Sequence, residues 1–285
     1  MPGPTLNFTV LRRSEWICLA YFAYVTGLAF FIKVPVRRRF RLLAINVAAA
    51  VILFVLPAGV AITSKPFVSV VRDWFPAALL VLGYHEAGRL TRPRADQFFE
   101  KAFLRWDSCL FKFPPLGLLN PNWNLPAWLE ALLEFSYMQC YVVVPSGIAV
   151  LYFAHLGRFA DEYWSVVLPA VFTAFGLTPV FPAQPPRNIP EHGFARRLAP
   201  PLRRFNLWIL DHASIKANTF PSGHVAGAAS ASLALMRILP AAGICYLVMA
   251  VGIMLGAVRG RYHYALDALA GAAVAILAFL GSMLI

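Results

Sequence analysis

Two histidines and an aspartate stand among long apolar runs. His224 closes Phe220-Pro221-Ser222-Gly223-His224, and His263 and Asp267 lie in Arg261-Tyr262-His263-Tyr264-Ala265-Leu266-Asp267. Ionisable side chains in such surroundings are costly and mark functional positions by default. His263 and Asp267 are separated by one helical turn and share a face. A carboxylate so placed can hold the imidazole in one tautomer and stabilise its charged form. Pro221 suits the first turn of a helix, so Ser222 and Gly223 are expected to offer free amides to an anion there, with Gly223 permitting close approach. Arg259 and Arg261 precede the second histidine, and which of them points inward depends on where the helix begins. Together these groups describe phosphoryl transfer. One histidine attacks phosphorus, the other protonates the leaving oxygen, and cations and amides neutralise the equatorial oxygens. No metal or other cofactor is called for: the histidines lack a zinc-binding spacing and the four cysteines contain no CxxC pair. Taken singly, each element also has a plainer reading, as a helix cap, an interhelical hydrogen bond or a basic membrane flank.

The elements that must position these groups are membrane helices. The 285-residue chain is 60% hydrophobic and only 13% charged, about half the charged fraction of a soluble domain. Apolar runs cover about 16–32, 42–61, 74–88, 128–152, 163–181, 222–238, 240–258 and 265–284. A helix of about 18 residues rises roughly 27 Å, close to one hydrocarbon core. The pair 222–238 and 240–258 crosses and returns, so His224 and His263 should meet at one membrane face. The 74–88 run is the weakest, and reads as a full crossing, a re-entrant piece or an interfacial helix. Pro145 should kink or break the 128–152 helix. The expected fold is an all-α polytopic bundle of seven or eight helices forming a single membrane domain, 1–285.

Two longer connections remain. The first, 89–127, predicts an amphipathic helix from about 93 to 111 on the membrane face, with Phe103, Trp106 and Phe111 embedded and Arg105 and Lys112 toward phosphates. Lipid substrate is expected to enter sideways along it. The second, 182–220, opens with prolines that forbid regular helix at its start and carries arginines on to the Pro-Ser-Gly-His island. The net charge of +12 concentrates in short loops, as the positive-inside rule expects. Anionic phospholipid surfaces suffice as its partner, and nucleic acid is not expected. Lys33, Arg37, Arg38, Arg39 and Arg41 make the first loop cytoplasmic, and with eight spans the loops 89–127, 182–220 and 259–264 share that side.

At these residues the chain resembles the type 2 phosphatidic acid phosphatase (PAP2) superfamily, over roughly residues 70–280. The resemblance implies that His224 of the Pro-Ser-Gly-His motif is the general acid, His263 the nucleophile and Asp267 its orienting partner. The stretch Arg261-Tyr-His-Tyr-Ala-Leu-Asp-Ala-Leu-Ala-Gly271 is similar to the subgroup of inositol phosphorylceramide synthases and their bacterial relatives. Arg72-Asp73-Trp74-Phe75-Pro76 with Tyr84, and Asp107, resemble that subgroup too. Two departures from the common pattern matter. Gly256-Ala257 replaces the Ser-Arg pair before the nucleophile, so Arg261 or Arg259 must take its place. The lysine and Arg-Pro of the usual first motif are missing, and Arg187 of Pro186-Arg187 substitutes, with Lys216 second.

The expected phosphate-binding set is thus Arg187, Arg261, Arg259, Lys216, Ser222 and Gly223. The resemblance implies a lipid phosphatase of a bacterial cell (inner) membrane that hydrolyses a membrane lipid phosphomonoester or diphosphate through a phosphohistidine. The same chemistry with an alcohol as acceptor would be a headgroup phosphotransferase. A channel or transporter would need polar residues through several span centres, and most spans here are apolar through their middles.

Overall fold

The computed structural model describes residues 11–63, 65–92, 94–113, 116–120, 124–189, 201–215 and 217–284. Its elements are α1 (Arg13–Phe31), α2 (Val36–Thr63), α3 (Pro66–Leu90), α4 (Phe98–Leu110), α5 (Ala127–Met138), α6 (Val143–Phe153), α7 (Ala160–Leu177), α8 (Pro201–Ala213), α9 (Gly223–Ile238), α10 (Pro240–Arg259) and α11 (Ala265–Ser282). The chain is an all-α, multi-pass membrane protein. Five helices, α1, α2, α3, α10 and α11, are long and apolar enough to cross a bilayer, and α5 with α6 makes a sixth if the bent pair is one span. The bend is 69°. It falls just before α6, whose third residue is Pro145. A proline there has no N–H to return to the preceding turn, so the break lies upstream of the ring.

The shorter helices α7 and α9 form the centre. α9 packs on α10, α7 and α11. Its buried face is Ala226, Gly227, Ala228, Ser230, Ala231 and Ser232, small residues that let helix backbones approach closely. α3 is continuous through Pro76 over 25 residues, a rise of about 37 Å. The 74–88 run is therefore part of a full-length helix.

Long-range hydrogen bonds place the loops on one face. Arg38 Nη1 donates to the Arg89 carbonyl (3.1 Å), Ile215 N to Tyr84 Oη (3.1 Å) and Arg187 N to the Arg261 carbonyl (3.1 Å). Arg259 pairs with Glu130. The Asp107 carboxylate of α4 accepts the amides of Ala265 and Leu266, both at 3.0 Å, and so caps α11. Burial pushes this carboxyl up to about 7 against the pull of the two amides. At the opposite end, Asp73 pairs with Arg12 and accepts from Tyr152 Oη (2.7 Å), while Arg72 holds Glu15 (2.6 Å) and Asp161 accepts from Ser14 (2.6 Å). The Arg72-Asp73 motif thus ties helices together away from the histidines. The basic first loop thus lies at the Arg89 end of α3, on the histidine side.

One expectation is corrected. The amphipathic helix predicted over 93–111 is present as α4, but Phe103 is buried, stacked on Phe220 at 4.7 Å, and only Trp106 of the three named aromatics is exposed. The 182–220 connection also carries α8, which begins beyond the opening prolines and had no hydropathy signal. α8 turns Arg203, Asn206 and Leu210 inward and leaves Phe205 and Trp208 exposed. Arg203 donates to Glu134 (2.9 Å) and to the Gly260 carbonyl (2.9 Å), Asn206 to Glu134 (2.8 Å), and Tyr262 Oη to Glu134 (2.6 Å). A buried charge satisfied this fully is costly to strip of a partner, so α8 is firmly tied to α5 and to the His263 loop.

Candidate active site

Helices α9 and α11 start side by side. Ser222 N donates to the Asp267 carbonyl at 2.9 Å. A Cβ at Gly271 would fall 2.6 Å from the Ser222 carbonyl, so only glycine allows this approach. His224 lies in the first turn of α9, and His263 in the reversal two residues before α11. Their ring centroids are 5.6 Å apart, nearly perpendicular at 80°. The sequence-predicted pair is therefore brought together. His263 Nδ1 lies 3.1 Å from Asp267 Oδ2, although the histidine is outside the helix proper. The same oxygen accepts from Asn218 Nδ2 at 2.5 Å. An oxygen serving one amide donor is an acceptor for the ring as well, so Nδ1 carries the proton and Nε2 keeps its lone pair. Burial and the neighbouring Arg187 push the His263 pKa down to about 3, which keeps the ring neutral at neutral pH.

The rings are framed by aromatics. Tyr137 meets His224 edge-on at 5.8 Å and stacks on Tyr262 at 4.0 Å. A cavity of about 600 Å³ opens from His224, His263 and Arg187 between α3, α6 and α7, beneath α8. Its lining is mostly apolar and includes Ala78, Val81 and His85, exposed residues along one stripe of α3. The cavity therefore opens sideways toward the bilayer, along α3 and α8. No described residue of 89–127 lines it, which corrects the entry route expected from sequence. A smaller cavity of about 260 Å³ holds Arg261, Lys112, Ser108, Asp107 and His263.

The six expected phosphate ligands separate. Arg187 lines the large cavity with both histidines. Arg261, in the left-handed region at φ 59°, lines the smaller one. Arg259 is engaged by Glu130 and the Asn120 carbonyl and lines neither. Lys216 lies outside the described residues. The free amides expected at Ser222 and Gly223 are used internally: Ser222 N serves Asp267, and Gly223 N donates to Thr219 Oγ1 at 3.1 Å. The close approach that Gly223 allows is to a ring, because a Cβ there would lie 2.8 Å from Phe175. Among the described residues no group of three or more His, Cys, Asp or Glu is placed to hold a metal ion.

A family model described as the PAP2 superfamily matches residues 101–281, well over half of the chain. The chain belongs to the PAP2 superfamily. The matched segment of this PAP2 protein holds His224, His263, Asp267 and Arg187, and excludes α1–α3. No curated protein and no solved structure shows a significant match to the chain. Family membership supports PAP2-type phosphoryl-transfer chemistry, and it leaves subgroup and substrate to the site itself.

Sequence reasoning passed over Asn218, whose one signal was a polar residue just ahead of the Pro-Ser-Gly-His island. It is buried, and its backbone N–H is fixed to the Ala183 carbonyl at 2.8 Å. Asn218→Ala removes a hydrogen bond to a charged group, worth about 1.5–3 kcal/mol, or roughly 10- to 100-fold in rate. The expected outcome is a slower single-turnover step with KM nearly unchanged. A loss of thermal stability with a normal single-turnover rate would assign Asn218 to the fold alone.

Proposed function

We propose that this protein is an integral-membrane lipid phosphatase that hydrolyses a phosphomonoester or diphosphate of a tailed lipid through a phosphohistidine on His263. The observation that carries the reading is the meeting of His263, its Asp267 partner, His224 and Arg187 at the head of an apolar cavity open to the bilayer. The tail lies between α3 and α6, and the phosphate reaches Arg187. His263 Nε2 attacks phosphorus and the P–O bond to the lipid breaks. The departing alcohol takes a proton from His224, whose charged form the bound phosphate dianion favours against the burial of the ring. Water then gives a proton to His224 and attacks phosphorus, the N–P bond breaks, and phosphate leaves. Asp267 and Asn218 hold the ring throughout. The basic histidine-side loops face the cytoplasm under the positive-inside rule, in the inner membrane of a bacterium.

The test is an assay of the purified protein in lipid nanodiscs with a ³²P-labelled long-chain phosphate ester. Acid-labile, alkali-stable label on His263 and release of phosphate are expected. Transfer of label to an added alcohol, with no phosphate released, would replace hydrolysis by phosphotransfer. Narrowing the cavity with Val144→Trp should lower kcat/KM for the long-chain ester by about tenfold or more relative to a soluble aryl phosphate. Equal losses on both would remove the cavity from the substrate path.

A further inference from the structure

α4 turns two acids and an aromatic ring inward. Glu100, Phe103 and Asp107 are its buried residues, and their i, i+3, i+7 spacing sets them on one face. Its cations Lys101 and Arg105 are exposed. A buried carboxylate is costly unless hydrogen bonds compensate, so the question is what these two acids hold.

Each of the three residues grips a different segment of the site. Glu100 Oε1 accepts the Gln184 amide at 2.7 Å, one turn of chain before Arg187. The Gln184 carbonyl is held in turn by Tyr264 Oη at 3.0 Å. Phe103 stacks on Phe220, just ahead of the Pro-Ser-Gly-His island, and meets Tyr264 edge-on at 5.2 Å, next to His263. The Asp107 oxygens take the first two amides of α11, Ala265 and Leu266, where a negative charge is favoured. These bonds fix the start of α11, and with it the register of Asp267 against His263. α4 therefore braces the segments that bear Arg187, His224 and His263, although none of its residues lines the large cavity. Glu100 shows that this bracing is not designed for stability alone. It is fully buried, and its second oxygen has no hydrogen-bond partner. An acid so incompletely paired costs free energy on folding. What it adds is a fixed place for Gln184.

We propose that Glu100 and Asp107 are positioning residues for phosphoryl transfer: Asp107 acts through the α11 amides on His263, and Glu100 acts through Gln184 on Arg187. This rests on the reading of His263 as nucleophile and of Arg187 as phosphate ligand. Neither acid contacts substrate. Because they act on different parts of the reaction, their removal differs in kind. A displaced His263 ring spoils the attack and leaves binding intact. A displaced Arg187 weakens the hold on phosphate and raises KM.

The experiment uses the full chain in nanodiscs, with phosphate release from a long-chain phosphate ester and ¹⁵N-histidine spectra of the resting protein. Asp107→Asn keeps the shape of the side chain but turns an NH₂ group toward one of the α11 amides. Its kcat should fall about 10- to 100-fold, the scale of a misplacement of about 1 Å, with KM nearly unchanged. In the spectra, the single Nδ1–H tautomer of His263 should give way to a mixture. Glu100→Ala should raise KM by about three- to tenfold, the worth of one hydrogen bond, with kcat nearly unchanged. Glu100→Gln, whose oxygen can still accept the Gln184 amide, should recover most of that loss. Should Asp107→Asn fail to fold, Asp107→Glu, which keeps both acceptors and moves them by one methylene, is expected to show the same fall in kcat. A lowered melting temperature with normal kcat and KM in both variants overturns the proposal, as do kcat and KM changing in equal proportion in both. An unchanged His263 signal in Asp107→Asn overturns the role given to Asp107, and an unchanged KM in Glu100→Ala overturns that given to Glu100. A wild type that releases phosphate from no lipid ester removes the phosphatase reading, and the histidine spectra still decide whether Asp107 places the ring.

Discussion

His263→Ala should abolish turnover, with kcat falling by about 10⁴-fold or more and no phosphoenzyme trapped from any donor. Losses of this size follow removal of a nucleophile from a group of residues that act as a unit. The pH behaviour is specific. With its pKa held down to about 3 by burial and Arg187, His263 is neutral across the range from about pH 5 to 8 and contributes no acid limb to phosphoenzyme formation there. Burial is the larger cause and Arg187 the smaller, so Arg187→Gln raises this pKa only in part, and the ring should stay neutral over most of that range. Stability moves with the same sign. The unfolded chain binds a proton at this position below about 6.5 and the folded one only below about 3, so the contribution is present above the unfolded value and is lost as pH falls toward the folded one. Rapid-quench labelling between pH 4.5 and 8 checks the kinetic part. A wild-type titration near 6.5 that disappears in His263→Gln, together with residual activity, would overturn it.

His224→Ala should cost about 10²- to 10⁴-fold on lipid esters, the usual worth of a general acid. The loss should depend on the leaving group. A lipid alkoxide needs the proton, and an activated aryl phosphate departs without it. The geometry behind this is the 5.6 Å between ring centroids, which puts His224 beside His263 at the head of the same cavity. Steady-state kcat for a long-chain ester and for p-nitrophenyl phosphate, measured in parallel, separates the roles. An equal fall on both would make His224 a positioning residue. A normal rate on the lipid would remove it from the mechanism.

Much of this architecture was legible because its signals are local. Hydropathy marked the spans, and the turnaround between 222 and 258 placed His224 and His263 on one face before any contact was known. The His263–Asp267 pairing followed from spacing alone. What escaped depends on partners far apart in the chain. Arg259 and Arg261 are equivalent by sequence, yet Glu130, 129 positions away, engages the first. The amides of Ser222 and Gly223 looked available because Asp267 and Thr219 could not be seen to reach them. α8 is amphipathic and sparing in apolar residues, so hydropathy overlooked it, and the burial of Arg203 against Glu134 is a tertiary fact. Phe103 looked like a membrane anchor because nothing local foretold Phe220 and Tyr264 as its neighbours.

The stripe of α3 formed by Ala78, Val81 and His85 makes the bilayer itself a competitor. On the proposed function, an apolar cavity open toward lipid would be taken by hydrocarbon chains when substrate is absent, and the resting protein would carry a tail of the surrounding matrix. Binding is then an exchange of one chain for another, and little apolar area is newly removed from water in the step. Tail recognition therefore contributes weakly to selectivity, and discrimination falls to the phosphate and whatever else phosphorus carries. The quantity governing occupancy is the mole fraction of substrate in the membrane. Diluting substrate with inert lipid at constant bulk concentration slows turnover, and a long-chain detergent acts as an inhibitor of the same site.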